Sequence, residues 1–261
     1  MIDLHAHILA GLDDGAETIE EAVAMCRCAE QDGASAVVAT PHMFNGVYDV
    51  RREHILAGVE TLRRALADEG LPLTILPGAD VHANGDLAAA ARANRAMTVA
   101  DNGKYLMVEF ARDVIPPHIE DMLFDLRLMG IIPILSHPER HPDLQTDSAF
   151  LEAVVRTGNL VQVTAGSLLG RFGREAERTV WRLLDDGLVH VVASDAHDTR
   201  RRPPGLSEAR RLVEDRLGRN VAETIFDDTP QRIVAGEEAP LPELAEPALP
   251  RRRRTWAWWR R

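Results

Sequence analysis

Short β-branched or apolar runs alternate along this chain with longer stretches of helical periodicity. The runs Met1–His7, Ser35–His42, Leu73–Asp80, Tyr105–Glu109, Ile132–His137, Leu160–Thr164 and Val189–Asp195 predict seven strands. Between them, Thr18–Asp32, Val50–Glu69, Pro117–Met129, Ser148–Thr157 and Glu175–Gly187 space their apolar positions near 3.6 residues and predict helices. In the first of these, Val23, Cys26 and Ala29 follow that spacing, acids crowd the start and Gly33 stops the helix. Gly70, Pro72, Gly130, Gly158 and Gly187 punctuate later joins. Alternating β and α segments imply a parallel sheet with helical crossovers, and the unbroken apolar runs Ala36–Ala39 and Ile131–Leu135 suit strands buried on both faces. No internal repeat is present. The expected fold is α/β, of the TIM-like barrel kind, over residues 1–238.

From Pro240 the pattern changes. Pro240, Pro242, Pro247 and Pro250 break an Ala/Glu-rich stretch that reads as an extended linker, so residues 239–261 form a separate linker and tail. The tail, Arg251–Arg261, reads RRRRTWAWWRR, and removing its six arginines from the formal net charge of −11 leaves 24 basic against 41 acidic residues, a body near −17. An acidic body repels phosphate backbones and argues against nucleic acid as a partner, while it favours divalent cations. Arginine with tryptophan suits anionic lipid headgroups, so the tail is a candidate for weak contact with a membrane surface. Cys26 and Cys28 lie two apart on a predicted helix, point in different directions and are not expected to bridge. No apolar run reaches the length that spans a bilayer, and no basic-then-apolar leader precedes the first strand, so the expected location is cytoplasmic.

The chemistry gathers where strands end. Strand one closes on His5 and His7, strand two on His42, strand three on Asp80, strand four on Glu109, strand five on His137, and strand seven on Asp195 and His197. In parallel α/β folds these ends share one face, the face that collects catalytic residues. His5 and His7 project from one side of an extended strand. With Asp14 just downstream, nine imidazoles and carboxylates and no thiolate form a ligand set suited to Mn²⁺, Fe²⁺ or Zn²⁺. A tetrahedral ion takes about four ligands, so nine imply two or three ions. Such a cluster ionises water near neutral pH and offsets charge on a transferring phosphoryl group. Arg140 and Arg202 leave the same rim on loops and are candidates to grip phosphate oxygens. The remaining histidines, His54, His82, His118, His141 and His190, read as surface or packing residues. A cysteine-phosphatase loop needs Arg six positions after Cys, but Asp32 and Ala34 stand there, and neither GxxxxGK[ST] nor a serine elbow occurs.

The segments MIDLHAHILAGLDDGA, ATPH at 39–42, EF at 109–110, SHPERH at 136–141 and SDAHDTRRRPP at 194–204 together resemble the PHP (polymerase and histidinol phosphatase) superfamily. They are most similar to its bacterial manganese-dependent tyrosine-protein phosphatases of capsule and exopolysaccharide clusters, from Met1 to about Gly236. The resemblance implies a distorted (β/α)₇ barrel and a three-metal centre in which manganese is foremost. His5, His7, Asp80 and Asp195 would hold a first metal; Asp80 would bridge to a second, shared with Glu109 and His137. Asp14, His42 and His197 would hold a third. It further implies that Arg140 and Arg202 stand on the phosphate side and that a hydroxide bridging the metals attacks without a phosphoenzyme. The implied substrate is the phosphotyrosine-bearing tail of a membrane-associated kinase of polysaccharide biosynthesis. The family usually carries Glu where this chain has Asp80, one methylene shorter.

Three alternatives remain at this level. Another phosphomonoesterase of the superfamily, of the histidinol-phosphate kind, fits the same ligands. A non-catalytic metal-stabilised binding module also fits them. An amidohydrolase shares HxH on strand one, but it bridges its metals with a carboxylated lysine, and the single lysine, Lys104, precedes strand four. An oligomer is possible, although no stretch marks an interface.

Overall fold

The structure, a computed structural model, describes residues 1–111 and 114–239; the Pro-rich linker and the Arg251–Arg261 tail lie outside the described residues. The strands are β1 (Ile2–Ala6), β2 (Ala36–Ala39), β3 (His42–Met43), β4 (Thr74–Pro77), β5 (Asp80–His82), β6 (Tyr105–Glu109), β7 (Ile132–Ser136), β8 (Leu160–Thr164) and β9 (Val191–Ala193). They form a three-stranded sheet, β1-β2-β4, and a six-stranded sheet, β3-β5-β6-β7-β8-β9, with every pairing parallel. Two expected strands are therefore each split in two. Pro41, without an N–H, separates β2 from β3. Gly78, where a Cβ would lie 2.6 Å from Val38 Cγ1, sits between β4 and β5. Each chain segment leaves the first sheet and enters the second, so His42 and Asp80 begin short strands and pair with each other.

The helices that return the chain are amphipathic as their spacing demands. Helix α1 (Ile19–Gln31) starts where Thr18 Oγ1 accepts from Glu21 N and buries Ala22, Met25, Cys26 and Ala29. Helix α2 (Arg52–Asp68) buries Ile55, Val59, Leu62 and Leu66. Six more helices cover the crossovers to β9: α3 (Leu87–Arg92), α4 (Ile119–Leu128), α5 (Pro142–Thr146), α6 (Ala149–Arg156), α7 (Ala165–Leu168) and α8 (Arg174–Asp185). After β9 come α9 (Ser207–Leu217), α10 (Arg219–Glu223) and α11 (Thr229–Ala235), which the apolar spacing did not delimit. Among the described residues no helix is long and apolar enough to cross a membrane.

One irregularity positions the site. In the β1–β2 register Asp3 faces Val37 and Ala6 faces Ala39, so Leu4 and His5 together oppose Val38. Such a bulge reverses the side-chain alternation. Ile2 and Leu4 accordingly join an apolar cluster fed by both sheets, with Val38, Tyr105, Met107, Ile134, Leu160, Val191 and Ile233 of α11. Ala6, in phase with them in an ideal strand, packs in the other core. Asp3 pins the bulge: its Oδ1 accepts from His5 N at 3.3 Å and Ser194 N at 3.0 Å. Burial, opposed by these hydrogen bonds, pushes its carboxyl up to about 6. The outer strands of the two sheets also meet, since Asp195 N donates to His5 O and His7 N to Ala196 O, both at 2.8 Å.

Candidate metal centre

All nine residues expected as ligands converge on one place. His5 Nε2 lies 3.1 Å from His7 Nε2, and each is 3.4 Å from Asp195 Oδ1. Asp80 Oδ2 stands 3.6 Å from His5 Nε2, 3.7 Å from His137 Nε2 and 3.8 Å from His42 Nδ1. Glu109 reaches His42 Nδ1 at 3.1 Å and His137 Nε2 at 3.5 Å. Asp14 bridges His42 Nε2 at 3.4 Å and His197 Nε2 at 3.5 Å. Ligand atoms fall into four overlapping groups, each within 4.8 Å: His7 with Asp14, His42 and His197; His5 with His7 and Asp80; His5 with His137 and Asp195; His42 with Asp80 and Glu109. Asp14 is no helix cap, because Thr18 caps α1.

The local backbone is unusual at two of these residues. His137 (φ 35°) and Asp195 (φ 51°) occupy the left-handed region, sparsely used by residues with a Cβ. Gly15 has another reason for its identity: a Cβ there would meet His7 O at 1.9 Å. The DDG turn therefore presses its backbone against the strand end that carries His7.

A surrounding layer fixes which imidazole nitrogen faces the cluster. His7 Nδ1 donates to Asp13 Oδ2 at 2.6 Å, His5 Nδ1 to Gln162 Oε1 at 3.1 Å, and His197 Nδ1 to the Asp195 carbonyl at 3.0 Å. Each assigned tautomer leaves Nε2 with its lone pair turned inward, the arrangement that orients metal-binding histidines. Asp13 also accepts from His42 N and Gly15 N, both at 3.0 Å. Burial works against protonation of His7, but the Asp13 carboxylate outweighs it and holds the imidazole up at about 9. Burial likewise opposes ionisation of Asp195, yet Arg140, then His5, keep its carboxyl well below the usual range. Hydrogen bonds from His197 and His42 lower Asp14 in the same direction.

Whether divalent cations suit these residues is tested by Asp80. It is fully buried, and Oδ1 accepts from Ser136 Oγ at 2.6 Å while Oδ2 has no hydrogen-bond partner. A buried carboxylate oxygen facing three imidazole nitrogens without a donor is costly unless a cation stands among them. The donor set fits.

Over the cluster lies a cavity of about 420 Å³, walled by Phe110, Arg140, His141, Gln145, Phe172 and Arg202 among others. Arg140 Nη1 and Arg202 Nη2 both donate to Asp195 Oδ2, each at 2.5 Å. Sequence reasoning missed several participants. Asp13 stood beside Asp14 in the DDG motif, and Gln162 lies on the one strand whose end carries no His, Asp or Glu. His141, expected on the surface or in packing, is buried in the cavity wall, whereas His54, His82, His118 and His190 stay outside it.

Parallel βα units with an imidazole–carboxylate cluster gathered on one rim of the sheets define a PHP-type α/β protein. Residues 1–235 match the model of the family described as capsular polysaccharide synthesis, CpsB/CapC. The tyrosine-protein phosphatase YwqE of Bacillus subtilis is 35% identical over 218 residues, covering 84% of this chain and 85% of its own length. The tyrosine-protein phosphatase CpsB of Streptococcus agalactiae serotype III is 26% identical over 239 residues, covering 90% and 98%. This chain belongs to the CpsB/CapC family. A solved structure from work on YwqE of Bacillus subtilis and CpsB of Streptococcus pneumoniae, described as metal-dependent tyrosine phosphatases, superposes with a TM-score of 0.89 at 31% identity, covering 94% of this chain and all of that one. The lactonase Lmo2620 of Listeria monocytogenes, at 14% identity and a TM-score of 0.56 over 91% of this chain and 95% of its own, shares the fold alone.

Proposed function

We propose that this protein is a metal-dependent protein-tyrosine phosphatase, folded as a distorted (β/α)₇ barrel over residues 1–238. Its relatives' named activity supports the reaction. The convergence of His5, His7, Asp14, His42, Asp80, Glu109, His137, Asp195 and His197 is the observation that carries it. These nine would hold two or three divalent ions, Mn²⁺ foremost, with Fe²⁺ or Zn²⁺ as substitutes. Asp80, the shorter residue where the family usually has Glu, would be shared between two of them.

Bound divalent ions supply the positive charge that ionises water near neutral pH and offsets the phosphoryl oxygens. The chain's own residues do the rest. Arg140 and Arg202, both at the cavity wall, bind the phosphate and orient it over the cluster. Phe110 and His141, in the cavity wall, surround the aryl group and keep solvent from it. Asp13, Gln162 and the Asp195 carbonyl hold three imidazoles in one tautomer. With the ions in place, water rather than a protein side chain would displace the tyrosyl oxygen from phosphorus, giving phosphate and tyrosine without a phosphoenzyme.

The physiological substrate is the phosphotyrosine-bearing tail of a membrane-associated kinase of polysaccharide biosynthesis, in the cytoplasm, with Arg251–Arg261 making weak contact with the membrane surface. The test compares Mn²⁺-stimulated turnover of a phosphotyrosine peptide with that of small alkyl phosphates such as histidinol phosphate. Preference for the peptide, lost in His7→Ala, is the expected result. Preference for the alkyl phosphate makes the chain a different phosphomonoesterase, and bound metal without turnover of either makes it a binding module.

A further inference from the structure

Phe172 belongs to no motif that the reaction uses, yet it stands beside both arginines of the site. Arg140 Cζ lies over its ring at 4.8 Å from the centroid, and Arg202 Cζ at 5.7 Å. Both distances fall within the reach of a cation–π attraction. The two guanidiniums also converge on a single carboxylate oxygen of Asp195. Like charges brought so close repel, and one carboxylate oxygen cannot by itself set two planes. The negative face of an aromatic ring is the third group that holds them.

The ring is itself built in. Phe172 sits on the loop between α7 and α8, where Gly170 (φ 71°) and Gly173 (φ 90°) take conformations that favour glycine. A Cβ on Gly166 would lie 2.8 Å from Phe172 Cε2, so glycine there makes the space the ring occupies. Arg171 N donates to Gly166 O at 2.9 Å and fixes the loop just before the ring. Glu139, adjacent to Arg140 and fully buried, ties the end of β8 and α7, which lead into that loop, to the arginine's own turn. Its Oε1 accepts from Thr164 N at 2.9 Å and from Ser167 Oγ at 2.7 Å. The strand that delivers no His, Asp or Glu to the rim therefore delivers, through its loop, an aromatic seat for the arginines delivered by two others.

We infer that Phe172 is a positioning residue that presets Arg140 and Arg202 to receive a phosphoryl group. This role rests on the phosphatase reading above. The experiment titrates inorganic phosphate into Mn²⁺-loaded full-length wild type, Phe172→Leu and Phe172→Trp. Leucine keeps apolar bulk without a ring face, and tryptophan restores the face. The phosphate dissociation constant is expected to rise about tenfold in the leucine variant and to return within about threefold in the tryptophan variant. In protein loaded with diamagnetic Zn²⁺, the side-chain N–H resonances of Arg140 and Arg202 are expected to lose their ring-current shift in the leucine variant, a signature independent of turnover. A merely structural Phe172 would lower thermal stability and leave phosphate affinity unchanged. Leucine binding phosphate as tightly as phenylalanine overturns the role. Wild-type protein that ignores phosphotyrosine counts against the phosphatase reading alone.

Discussion

Below the rim, within the strands, Leu4, Val38, Met107, Ile134, Leu160 and Val191 pack together, closed off by Ile233 of α11 and by Tyr105, whose hydroxyl donates to Glu237 O at 2.6 Å. Beyond them the rim gathers five histidines and four carboxylates, with the His7 and His197 rings 3.9 Å apart between centroids. The base is held by dispersion and burial, the terms that stabilise any core. The rim concentrates ionisable groups in a dry place, which raises free energy unless opposite charge is supplied. The base thus sets the spacing of the strands, and the rim spends that stability on chemistry. Changes at the base should alter how long the protein stays folded, and changes at the rim should alter what the folded protein does.

The sharpest test is at Asp80. Asp80→Asn keeps the volume and an acceptor for Ser136 Oγ but removes the charge on the oxygen facing three imidazoles. Phosphatase kcat/KM is expected to fall roughly 10³-fold, since metal charge is worth several kcal/mol in such transition states. Bound Mn²⁺ should drop by at least one equivalent in elemental analysis, with the melting temperature near that of wild type. Full metal content with full activity would sink the bridging role.

The counterpart at the base is Leu160→Ala. Leu160 is 1% exposed, and truncation should cost about 3 kcal/mol, a shift in melting temperature of roughly 10 °C. Activity and Mn²⁺ content per folded molecule should hold within about twofold. If activity falls in step with the Asp80 variant instead, the division between base and rim is wrong.

How much of this was legible in the sequence follows the same division. The convergence of the nine candidate ligands was legible because their position at strand ends and their chemical type are both local properties. The bulge in β1 was not: the run from Ile2 to His7 alternates without a break, and only pairing with β2 shows that Leu4 and His5 share one partner. Gln162 and Asp13 looked like ordinary polar residues, because their function is a contact with histidines on β1 and just beyond it. The break between β4 and β5 at Gly78, by contrast, sits against Val38, forty residues earlier in the chain. The helices after Asp195 carry few apolar positions; α9 buries only Ala209 and Val213. Type and spacing identify what a residue offers, and tertiary pairing decides which partner takes it.

A smaller effect belongs to the layer behind the ligands. Asp13 takes three donors, with His7 Nδ1 and His42 N both on Oδ2. In Asp13→Asn an amide N–H₂ must face one of those donors, so His7 loses its fixed tautomer. Mn²⁺ affinity is expected to weaken tenfold to a hundredfold, roughly the usual cost of removing such a partner. Activity measured against Mn²⁺ concentration reads this directly: saturating metal should restore most of it. A defect that no metal concentration repairs would show Asp13 acting on the chemistry itself.

The smallest expected effect lies at the amino-terminal ends, where one histidine does the opposite of those at the rim. His190 lies just before β9, and its Nδ1 accepts from Val161 N at 3.1 Å, which requires the neutral ring. Burial pushes the imidazole down to about 4, against 6.5 when it is free. The unfolded chain therefore binds this proton across that window and the folded chain does not. Its contribution is full above about pH 6.5 and is lost as pH falls toward about 4. Rim histidines titrate as well, so the informative quantity is a difference. His190→Asn keeps an acceptor near the Nδ1 position and cannot be protonated. Relative to that variant, wild type should lose about 1 kcal/mol of stability between about pH 7 and about pH 5.5, measured by urea unfolding. Parallel stability curves for the two proteins would mean that His190 titrates as freely as in the unfolded chain, and that the base, like the rim, tolerates a charge.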